Sequence, residues 1–415
     1  MRILVVCQYY APEPFRISDV CEELVKRGHE VTVVTGVPNY PMGRIYDGYR
    51  HGENRDEVIN GVKVHRCFTI GRRSGAVWRF LNYYSYMFSS THYMSKLKGI
   101  FDIVFVNQLS PVMMANAAIK YKKMHHTRVV LYCLDIWPES LVAGGVKRGS
   151  AIYKFFHKVS KKIYKAVDSI LITSQSFARY FEKEFGITNT QYLPQYAEAL
   201  FTPEMCKKNP NDTIDLMFAG NVGTAQSVDT IIKAAALCKD ISNLRWHIVG
   251  DGIALLDCKK MAEKFEVPVI FHGRQPIEQM PRYYAMADAM LVTMQKDPVL
   301  SLTLPGKVQS YMAAGKPIIG AIDGETKRVI EQTQCGYCVP SGDFEGLAKI
   351  CMEVADKRAE YAAFGSRSRA AYEQMFSRDR FMNSLEQHFC DMCASTTQKQ
   401  PIVSGNFAPG MEESK

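Results

Sequence analysis

The sequence has no long apolar run, no glycine-rich dinucleotide loop and no closely spaced pair of aspartates. No apolar stretch reaches the roughly 18 residues that a membrane-spanning helix requires, so no transmembrane segment is expected. After the first predicted strand, residues Ala11–Arg16 stand where a G-x-G-x-x-G loop would lie, which argues against a nicotinamide-dependent enzyme. Because no Asp-x-Asp pair occurs, we expect no metal ion at the site.

The 12 cysteines are spread along the chain, and none stands at a histidine spacing typical of zinc sites. Cys7, Cys67 and Cys133 lie inside apolar strand patterns, where cysteine packs as a small hydrophobic residue. The N-terminal residues resemble a strand and lack the charged lead and the small-residue cleavage site of a signal peptide. We therefore expect reduced thiols and a cytoplasmic location.

The net charge of +9 is distributed unevenly. Residues 1–195 contain 27 Lys and Arg against 15 Asp and Glu, or +12, whereas residues 196–415 contain 24 against 27, or −3. A basic half is typical of proteins that bind nucleic acid, anionic lipid or a phosphorylated substrate. Since no helix-turn-helix, zinc-finger or RNA-binding signature occurs, we expect no nucleic-acid partner.

Apolar strands that alternate with amphipathic helices predict an α/β protein with parallel sheets. At 415 residues, of which 47% are hydrophobic, the chain is long enough for two domains. We predict a Rossmann-like, doubly wound domain over residues 1–195 and a second over residues 205–375. A C-terminal helix over 376–394 is expected to pack back on the first domain, followed by a disordered tail over 395–415. The predicted strands are Arg2–Cys7, Glu30–Thr35, Val62–Cys67, Ile103–Val106, Val129–Cys133, Ser169–Thr173, Ile214–Ala219, Leu244–Val249, Val269–His272, Ala289–Thr293 and Pro317–Ala321.

The stretch Pro305–Gly320 predicts a short helix that begins with a lysine and leads into a strand. Pro305 and Gly306 open the helix, and Gly315 ends it. The free backbone N–H groups and the positive end of the helix dipole suit an anion, and Lys307 adds a full charge. On these local features, a phosphate site and an ordinary surface lysine are equally supported.

Two stretches of the basic half combine cations with aromatic residues. Arg72–Lys98 contains seven aromatic residues, and Lys147–Lys165 contains seven Lys and Arg and no acid. Such a composition is typical of a helix in a membrane interface, although each stretch alone also fits an amphipathic helix with a solvated basic face. Two such stretches in one half favour contact with an anionic membrane surface.

Six stretches, in matching order along the chain, resemble the two-domain (GT-B) nucleotide-sugar glycosyltransferases of the retaining family 4. They are Lys26–Arg50, Leu134–Leu141, Phe218–Ile232, His247–Gly252, Phe271–Val292 and Pro305–Gly320. The pieces NYPMGRIY and DIWPES are most similar to the subgroup that transfers aminosugars such as N-acetyl-fucosamine in surface polysaccharide assembly. The resemblance implies two Rossmann-like domains facing a cleft, with the donor sugar nucleotide held by the second domain.

The resemblance also implies a metal-independent donor site without a cofactor, for a donor that we expect to be UDP-linked. The implied catalytic residues are Lys307, Asp297 and Asp135, with Asp297 as the candidate acid that holds the sugar. The implied donor-binding positions are Gly220, Asn221, Gly223, Gln226, Gly250, Arg274, Gln275, Leu304, Gly306, Lys307 and Val308. The implied acceptor contacts are Arg16, Asp135 and Glu139. For Asp135 and Glu139, an acid pair at a helix N-terminus is equally supported.

The sequence departs from the family pattern at several positions. Asn221 and Gln226 replace an Arg and a Lys, Leu302 and Ser310 replace two glutamates, and Glu13–Arg16 replaces a Gly-Gly turn. Because the aminosugar subgroup resembles this chain in the first two changes, they do not indicate a loss of activity. They leave open which acid holds the donor sugar.

The leading hypothesis is a retaining glycosyltransferase that moves an N-acetylated aminosugar to a lipid-linked or saccharide acceptor in capsule or O-antigen assembly. We expect it on the inner face of the cytoplasmic membrane, as a peripheral protein. One alternative is a nucleotide-sugar 2-epimerase of the same fold, which would turn over the donor without an acceptor. A second is a non-catalytic, membrane-bound polysaccharide scaffold, which would bind lipid but no nucleotide.

Overall fold

Two β-sheets organise the chain, which this computed structural model describes for residues 1–143 and 145–397. The strands of the first half are β1 (Arg2–Val6), β2 (Glu30–Gly36), β3 (Asp56–Ile59), β4 (Val62–Cys67), β5 (Ile103–Gln108), β6 (Arg128–Cys133), β7 (Ser169–Ile172) and β8 (Thr190–Tyr192). They form an eight-stranded sheet in the order β3-β4-β2-β1-β5-β6-β7-β8, parallel except where β3 pairs with β4. The helices that accompany it are α1 (Ile17–Lys26), α2 (Ala76–Met94), α3 (Asn116–His125), α4 (Glu139–Ala143), α5 (Ala151–Tyr164) and α6 (Ser176–Tyr180).

The second half forms a six-stranded parallel sheet. Its strands are β9 (Ile214–Ala219), β10 (Leu244–Val249), β11 (Val269–Gly273), β12 (Ala289–Thr293), β13 (Ile318–Ala321) and β14 (Gly336–Val339), in the order β11-β10-β9-β12-β13-β14. The helices of this half are α7 (Val228–Leu237), α8 (Leu255–Lys264), α9 (Met280–Met286), α10 (Gly306–Ala313), α11 (Gly324–Thr333), α12 (Phe344–Asp356), α13 (Arg358–Met375) and α14 (Arg378–Thr397). Two buried apolar clusters, one on each side of the sheet, form its core.

The predicted fold class is confirmed, because each half is an α/β unit of the Rossmann-like kind. Strands β4, β9, β10 and β12 have the bounds that the sequence predicts. The sequence prediction omits β3, β8 and β14. β3 is a half-exposed strand at the sheet edge, and β8 and β14 have only three and four residues. Their apolar patterns are therefore too short or too mixed to stand out.

The last helix, α14, packs on the first domain. Four of its apolar side chains belong to the core of that domain: Phe381, Met382, Leu385 and Phe389. At its start, Arg378 donates hydrogen bonds to Asp19 at 2.8 and 3.0 Å and to Glu23 at 2.9 Å, both on α1. The helix runs to Thr397, three residues into the predicted tail, and the rest of that tail lies outside the described residues.

Glu325 of α11 connects the two domains. Its buried carboxylate accepts hydrogen bonds from the Gln175 N–H at 3.1 Å and from the Ser176 hydroxyl at 2.6 Å, both after β7. Arg328 of the same helix pairs with it at 2.7 Å. Because Glu325 accepts two of its hydrogen bonds across the boundary, these contacts hold the end of β7 against the second domain.

Helices α2 and α5, which lie within the two stretches that combine cations with aromatic residues, are only partly exposed. Tyr86 is buried, and its hydroxyl donates to the carbonyls of Cys7 and Val34 at 2.9 and 3.0 Å. In contrast, Trp78 and Phe88 are 37% and 66% exposed. Only part of the aromatic stretch is therefore available to a membrane. Within the described ranges, no helix has both the length and the apolar character needed to cross a bilayer.

Candidate donor site and interdomain cavity

Lys307 lies in the first turn of α10 with its ammonium buried and unpaired. Its stem is partly exposed, but Nζ has no hydrogen-bond partner among the described residues. Nζ lies 3.7 Å from the ring centroid of Phe218, near the end of β9. Burial lowers the pKa of Lys307 to about 7. Since a buried, unpaired ammonium costs free energy, this position fits an anion that enters beside the helix.

Glycine turns bring three strand ends close together beside this lysine. The Gly220 N–H donates to the Val249 carbonyl at 2.9 Å, and the Gly250 N–H donates to the Gly273 carbonyl at 2.8 Å. Gly220 and Gly250 have φ values of +137° and +142°, a region that favours glycine. A Cβ on Gly220 would lie 2.8 Å from Lys307 Nζ. The structure therefore brings the predicted residues Gly220, Gly250 and Lys307 together.

Two residues that sequence reasoning missed position the lysine. Tyr311, one turn after Lys307, donates its hydroxyl to the Ala219 carbonyl at 2.9 Å and accepts from the Ala219 N–H at 3.0 Å. This pair fixes α10 against the end of β9, where Phe218 supplies the ring beneath Nζ. The spacing of four residues between Lys307 and Tyr311 was the available signal, because it places both on one helix face.

The polar residues of the turn after β9 bind one another. Asn221 donates its side-chain amide to Gln226 Oε1 at 2.9 Å, and the Gly223 N–H donates to the same oxygen at 3.2 Å. These three predicted donor positions therefore form one local network. Their predicted contacts with a nucleotide stay predictions.

The other donor candidates lie at the end of β11 and around the start of α10. Arg274 is exposed, and Gln275 donates its side-chain amide to the His272 carbonyl at 2.7 Å. Leu304 and Val308 are buried apolar residues on either side of the exposed Gly306. Arg274 is thus free to meet a ligand, whereas Leu304 and Val308 contribute packing.

A cavity of about 480 Å³ between the two domains is lined by three of the predicted acids, Asp135, Glu139 and Asp297. Asp135 follows β6 of the first domain, and Asp297 follows β12 of the second. Thr224 and Gln295 of the second domain also line it. The cavity therefore lies at the carboxyl ends of strands from both sheets, where open α/β folds bind their ligands. Lys307 lies outside its lining.

Asp135 is held by serine hydroxyls, and Asp297 is held by backbone groups. Ser110 donates to Asp135 Oδ2 and lies 2.7 Å from the Ser140 hydroxyl. Burial raises the pKa of Asp135, and the hydrogen bonds from Ser110 and Ser140 partly offset this effect. Asp297 Oδ1 accepts from the N–H groups of residues 299 and 300 at 2.7 and 2.9 Å. Asp297 thus keeps Oδ2 free of those two partners.

Glu139, a predicted acceptor contact, already has protein partners on both oxygens. Tyr153 and Tyr180 donate their hydroxyls to Oε1 at 2.7 and 2.8 Å, and Arg148 donates to Oε2 at 2.6 Å. The residue is only 4% exposed. These contacts explain Glu139 as an anchor between helices α4, α5 and α6, and its acceptor role stays a prediction.

Arg16, the remaining acceptor candidate, lies at the junction between the domains. It donates to the Tyr196 carbonyl and to the Glu198 carboxylate. It also lines a cavity of about 670 Å³, to which the second domain contributes Ile277. The structure does not bring Arg16 into the smaller cavity that contains Asp135.

No group of three or more His, Cys, Asp or Glu residues in the described ranges is placed to hold a metal ion. The sequence contains two Cys-x-x-Cys pairs, Cys335 with Cys338 and Cys390 with Cys393. Burial raises the pKa of the thiols of Cys335, Cys338 and Cys393. Because metals bind the thiolate, these thiols are poor ligands in this environment.

Two family models match the chain, one in each half. The model described as Glycosyltransferase Family 4 matches residues 16–193, and the model described as Glycosyl transferases group 1 matches residues 204–371. The interval between the two matches coincides with the passage from β8 to β9.

The chain is similar to two curated glycosyltransferases and to a solved structure. It is 27% identical over 261 residues to the probable glycosyltransferase WbjE of Pseudomonas aeruginosa, an alignment that covers 60% of this chain and 64% of that relative, just under two thirds. It is 23% identical over 335 residues to the putative colanic acid biosynthesis glycosyl transferase WcaI of Escherichia coli K12, covering 76% of this chain and 82% of WcaI. Its fold is similar to that of HepE from Anabaena, solved in complex with UDP. The TM-score is 0.68 at 13% identity, and the match covers 94% of this chain and 100% of the other.

The two matched models account for both domains, and their order agrees with the order of the two sheets. The similarity to HepE extends over both domains of the fold. The chain therefore combines, in this order, a domain that matches Glycosyltransferase Family 4 and a domain that matches Glycosyl transferases group 1, on a fold of the GT-B type.

Proposed function

We propose that the chain transfers a sugar from a UDP-linked donor during surface polysaccharide assembly. The observation that carries this proposal is the buried, unpaired ammonium of Lys307 beside Gly220. A diphosphate placed there would meet that ammonium and the free N–H groups at the start of α10. HepE, which shares the fold, was solved with UDP, and WcaI is named for colanic acid biosynthesis, so both support this substrate class.

The proposed chemistry is stabilisation of the leaving diphosphate. When the bond between the sugar and UDP breaks, negative charge collects on a phosphate oxygen, and fixed donors such as Lys307 stabilise it. Asp297 and Asp135 face one cavity from opposite domains. We assign Asp297 to the donor sugar and Asp135 to the acceptor hydroxyl. The leaving phosphate takes the acceptor proton, and the transferred sugar, an N-acetylated aminosugar, retains its anomeric configuration.

A calorimetric titration with UDP, then with GDP, in excess EDTA tests the donor site and its metal independence together. We expect UDP to bind more tightly than GDP and chelation to leave the affinity unchanged, because no carboxylate pair is needed beside the diphosphate. Binding that is lost in EDTA and restored by Mg²⁺ would contradict the leaving-group chemistry. Turnover of the sugar nucleotide without any acceptor would indicate an epimerase instead.

We assign the acceptor to a membrane-bound, lipid-linked saccharide, reached from the inner face of the cytoplasmic membrane. Phe80 of α2 and Phe156 of α5 stack with their ring centroids 6.2 Å apart, so the two helices are neighbours. Both helices also expose apolar side chains: Val77, Trp78, Leu81, Phe88, Ile152 and Phe155. The exposed lysines of α5 stand beside them, which is the arrangement of a surface that rests on anionic lipid.

Charge reversal on α5 is expected to release the protein from anionic vesicles. The change replaces four exposed lysines by glutamate: Lys158, Lys161, Lys162 and Lys165. Since each basic residue near such a surface contributes roughly 1 kcal/mol, binding in vesicle sedimentation should fall to a weak, salt-resistant remainder from the apolar side chains. High salt should weaken wild-type binding in the same way.

A matched control reverses four exposed lysines of the second domain: Lys239, Lys259, Lys260 and Lys264. This variant has the same net charge and should still sediment with vesicles. If the wild-type protein does not sediment with anionic vesicles at low salt, the lysines of α5 form an ordinary solvated face.

A further inference from the structure

A basic cavity lies in the first domain, at the ends of β2 and β4. It measures about 620 Å³ and is enclosed by residues 37–55 and residues 66–78. Its lining contains a single acid, Glu53, against one histidine and five arginines: His51, Arg44, Arg50, Arg55, Arg66 and Arg73. Such a concentration of cations in a concave site attracts an anion.

Arg66 places a buried, unpaired nitrogen in the wall of this cavity. Its side chain is only 1% exposed. Nε donates to Glu57 at 2.6 Å and one terminal nitrogen donates to the Ala11 carbonyl at 2.6 Å. The other terminal nitrogen has no hydrogen-bond partner in the described part of the chain. A buried N–H without an acceptor is costly, and an anionic oxygen in the cavity would satisfy it.

Most of the remaining arginines of the lining form no ion pair with an acidic residue in the described part of the chain. Arg50 pairs with Asp47 at 2.9 Å, but the structure shows no ion pair for Arg44, Arg55 or Arg73 within the described ranges. Their charges are therefore available to a ligand. Planar guanidinium groups match phosphate oxygens in pairs, which favours a phosphate over a simple halide.

The rim of the cavity is apolar where it meets α2. Phe68 is 60% exposed, and Trp78, which Arg73 covers at 4.5 Å, is 37% exposed. Both residues line the cavity, and the exposed Val77 and Leu81 continue the apolar surface along α2. A ligand with a charged end in the cavity can therefore lay an apolar chain on this rim.

A ring contact links the segment 37–55 beside the basic cavity to a residue of the cleft between the domains. The ring centroid of Tyr40, in the enclosing loop, lies 5.2 Å from that of Phe15. Phe15 lines the interdomain cavity to which Ile277 contributes. A saccharide attached to a phosphate in the basic cavity can therefore extend past Tyr40 toward the cleft.

We propose that this cavity binds the phosphate or diphosphate that joins the acceptor saccharide to its lipid, with the lipid chain over Phe68 and Trp78. This inference rests on the proposed function, since it specifies how that enzyme holds its acceptor. It assigns a binding role to Arg55 and Arg73, and to the one unpartnered terminal nitrogen of Arg66. The earlier acceptor candidates Arg16 and Glu139 are engaged by protein partners.

Calorimetric titration with farnesyl diphosphate in saturating UDP tests the proposal. Saturating UDP occupies the site of Lys307, so any remaining diphosphate binding belongs elsewhere. We expect the wild type to bind and the double variant Arg55→Ala/Arg73→Ala to bind at least about tenfold more weakly, as for lost charge-assisted hydrogen bonds. The control Lys239→Ala/Arg245→Ala removes two exposed charges from the second domain and should bind like wild type.

Two simpler probes show how much of the affinity comes from the diphosphate and how much from the lipid chain. Pyrophosphate should bind more weakly than farnesyl diphosphate and show the same loss in the double variant, whereas farnesol should not bind measurably. Equal binding of pyrophosphate and farnesyl diphosphate would overturn the lipid assignment. Displacement of farnesyl diphosphate by UDP, or equal affinity in the double variant and the wild type, would overturn the site itself. Failure of the wild type to bind UDP would instead refute the proposed function.

Discussion

Replacing Lys307 by methionine is expected to remove tight UDP binding and to raise the thermal stability of the protein at neutral pH. Methionine keeps an unbranched side chain over the Phe218 ring but carries no charge. The affinity for UDP should fall by about 1.5–3 kcal/mol, the range for a hydrogen bond to a charged group. Stability should rise because the unliganded protein no longer holds a buried, unpaired ammonium. Calorimetry and thermal unfolding of the same preparation measure both effects.

The difference in stability between Lys307→Met and the wild type should decrease as the pH rises. Burial lowers the pKa of Lys307 from 10.5 to about 7 in the folded protein. Between these values the unfolded chain binds the proton and the folded chain does not, so the free energy of unfolding of the wild type rises with pH in this window. The advantage of Lys307→Met should therefore be largest below pH 7 and shrink toward pH 10. A variant that binds UDP normally, or that melts below the wild type at pH 7, would contradict this account.

Replacing Gly250 by alanine is expected to disrupt the donor site by displacing backbone. A Cβ at this position would lie 1.8 Å from the Gly220 carbonyl oxygen, a contact that no rotamer can relieve. The turn that carries Gly220 must move, and Lys307 Nζ packs against it. We expect a loss of about 3 kcal/mol or more in unfolding free energy, together with loss of UDP binding below the melting temperature.

The control for this change is Gly99→Ala in the first domain. Gly99 has a φ of +105°, and a Cβ there would meet no atom within 4 Å. It therefore isolates the cost of the left-handed backbone alone, about 1–2 kcal/mol. Urea unfolding and UDP titration of both variants compare the two costs. Equal destabilisation by Gly250→Ala and Gly99→Ala would show that the contact with Gly220 can relax.

The predicted fold agrees closely with the structure because its strands are almost wholly apolar. β9 and β12 are buried along their entire length, and apart from Asp215 in β9 and Thr293 at the end of β12 all their residues are apolar. β3 alternates between exposed and half-buried positions at the sheet edge and was not predicted. Local pattern thus identifies a buried strand much better than an edge strand.

The candidate site could be predicted only where its parts are adjacent in sequence. The Gly306–Lys307 helix start follows from local pattern, but burial of the ammonium depends on Phe218 and Gly220 from a distant strand end. The shared cavity of Asp135 and Asp297 depends on how the domains meet, a contact made through Glu325. For Tyr86 the local pattern was misleading. Its neighbourhood in the sequence, rich in aromatic residues and cations, suggested a membrane surface, but its hydroxyl donates to buried carbonyls.

The return of α14 to the first domain affects the order in which the newly synthesised chain can fold. Four side chains of the first core, Phe381, Met382, Leu385 and Phe389, leave the ribosome after the whole second domain. The second sheet, contained between Ile214 and Val339, needs nothing from the first to complete its strands. Domains usually fold in order from the N-terminus. Here the first domain is completed last, when α14 packs on it after the second domain has been synthesised. Until translation passes residue 389, the apolar surface that α14 covers stays exposed to chaperones or to other nascent chains.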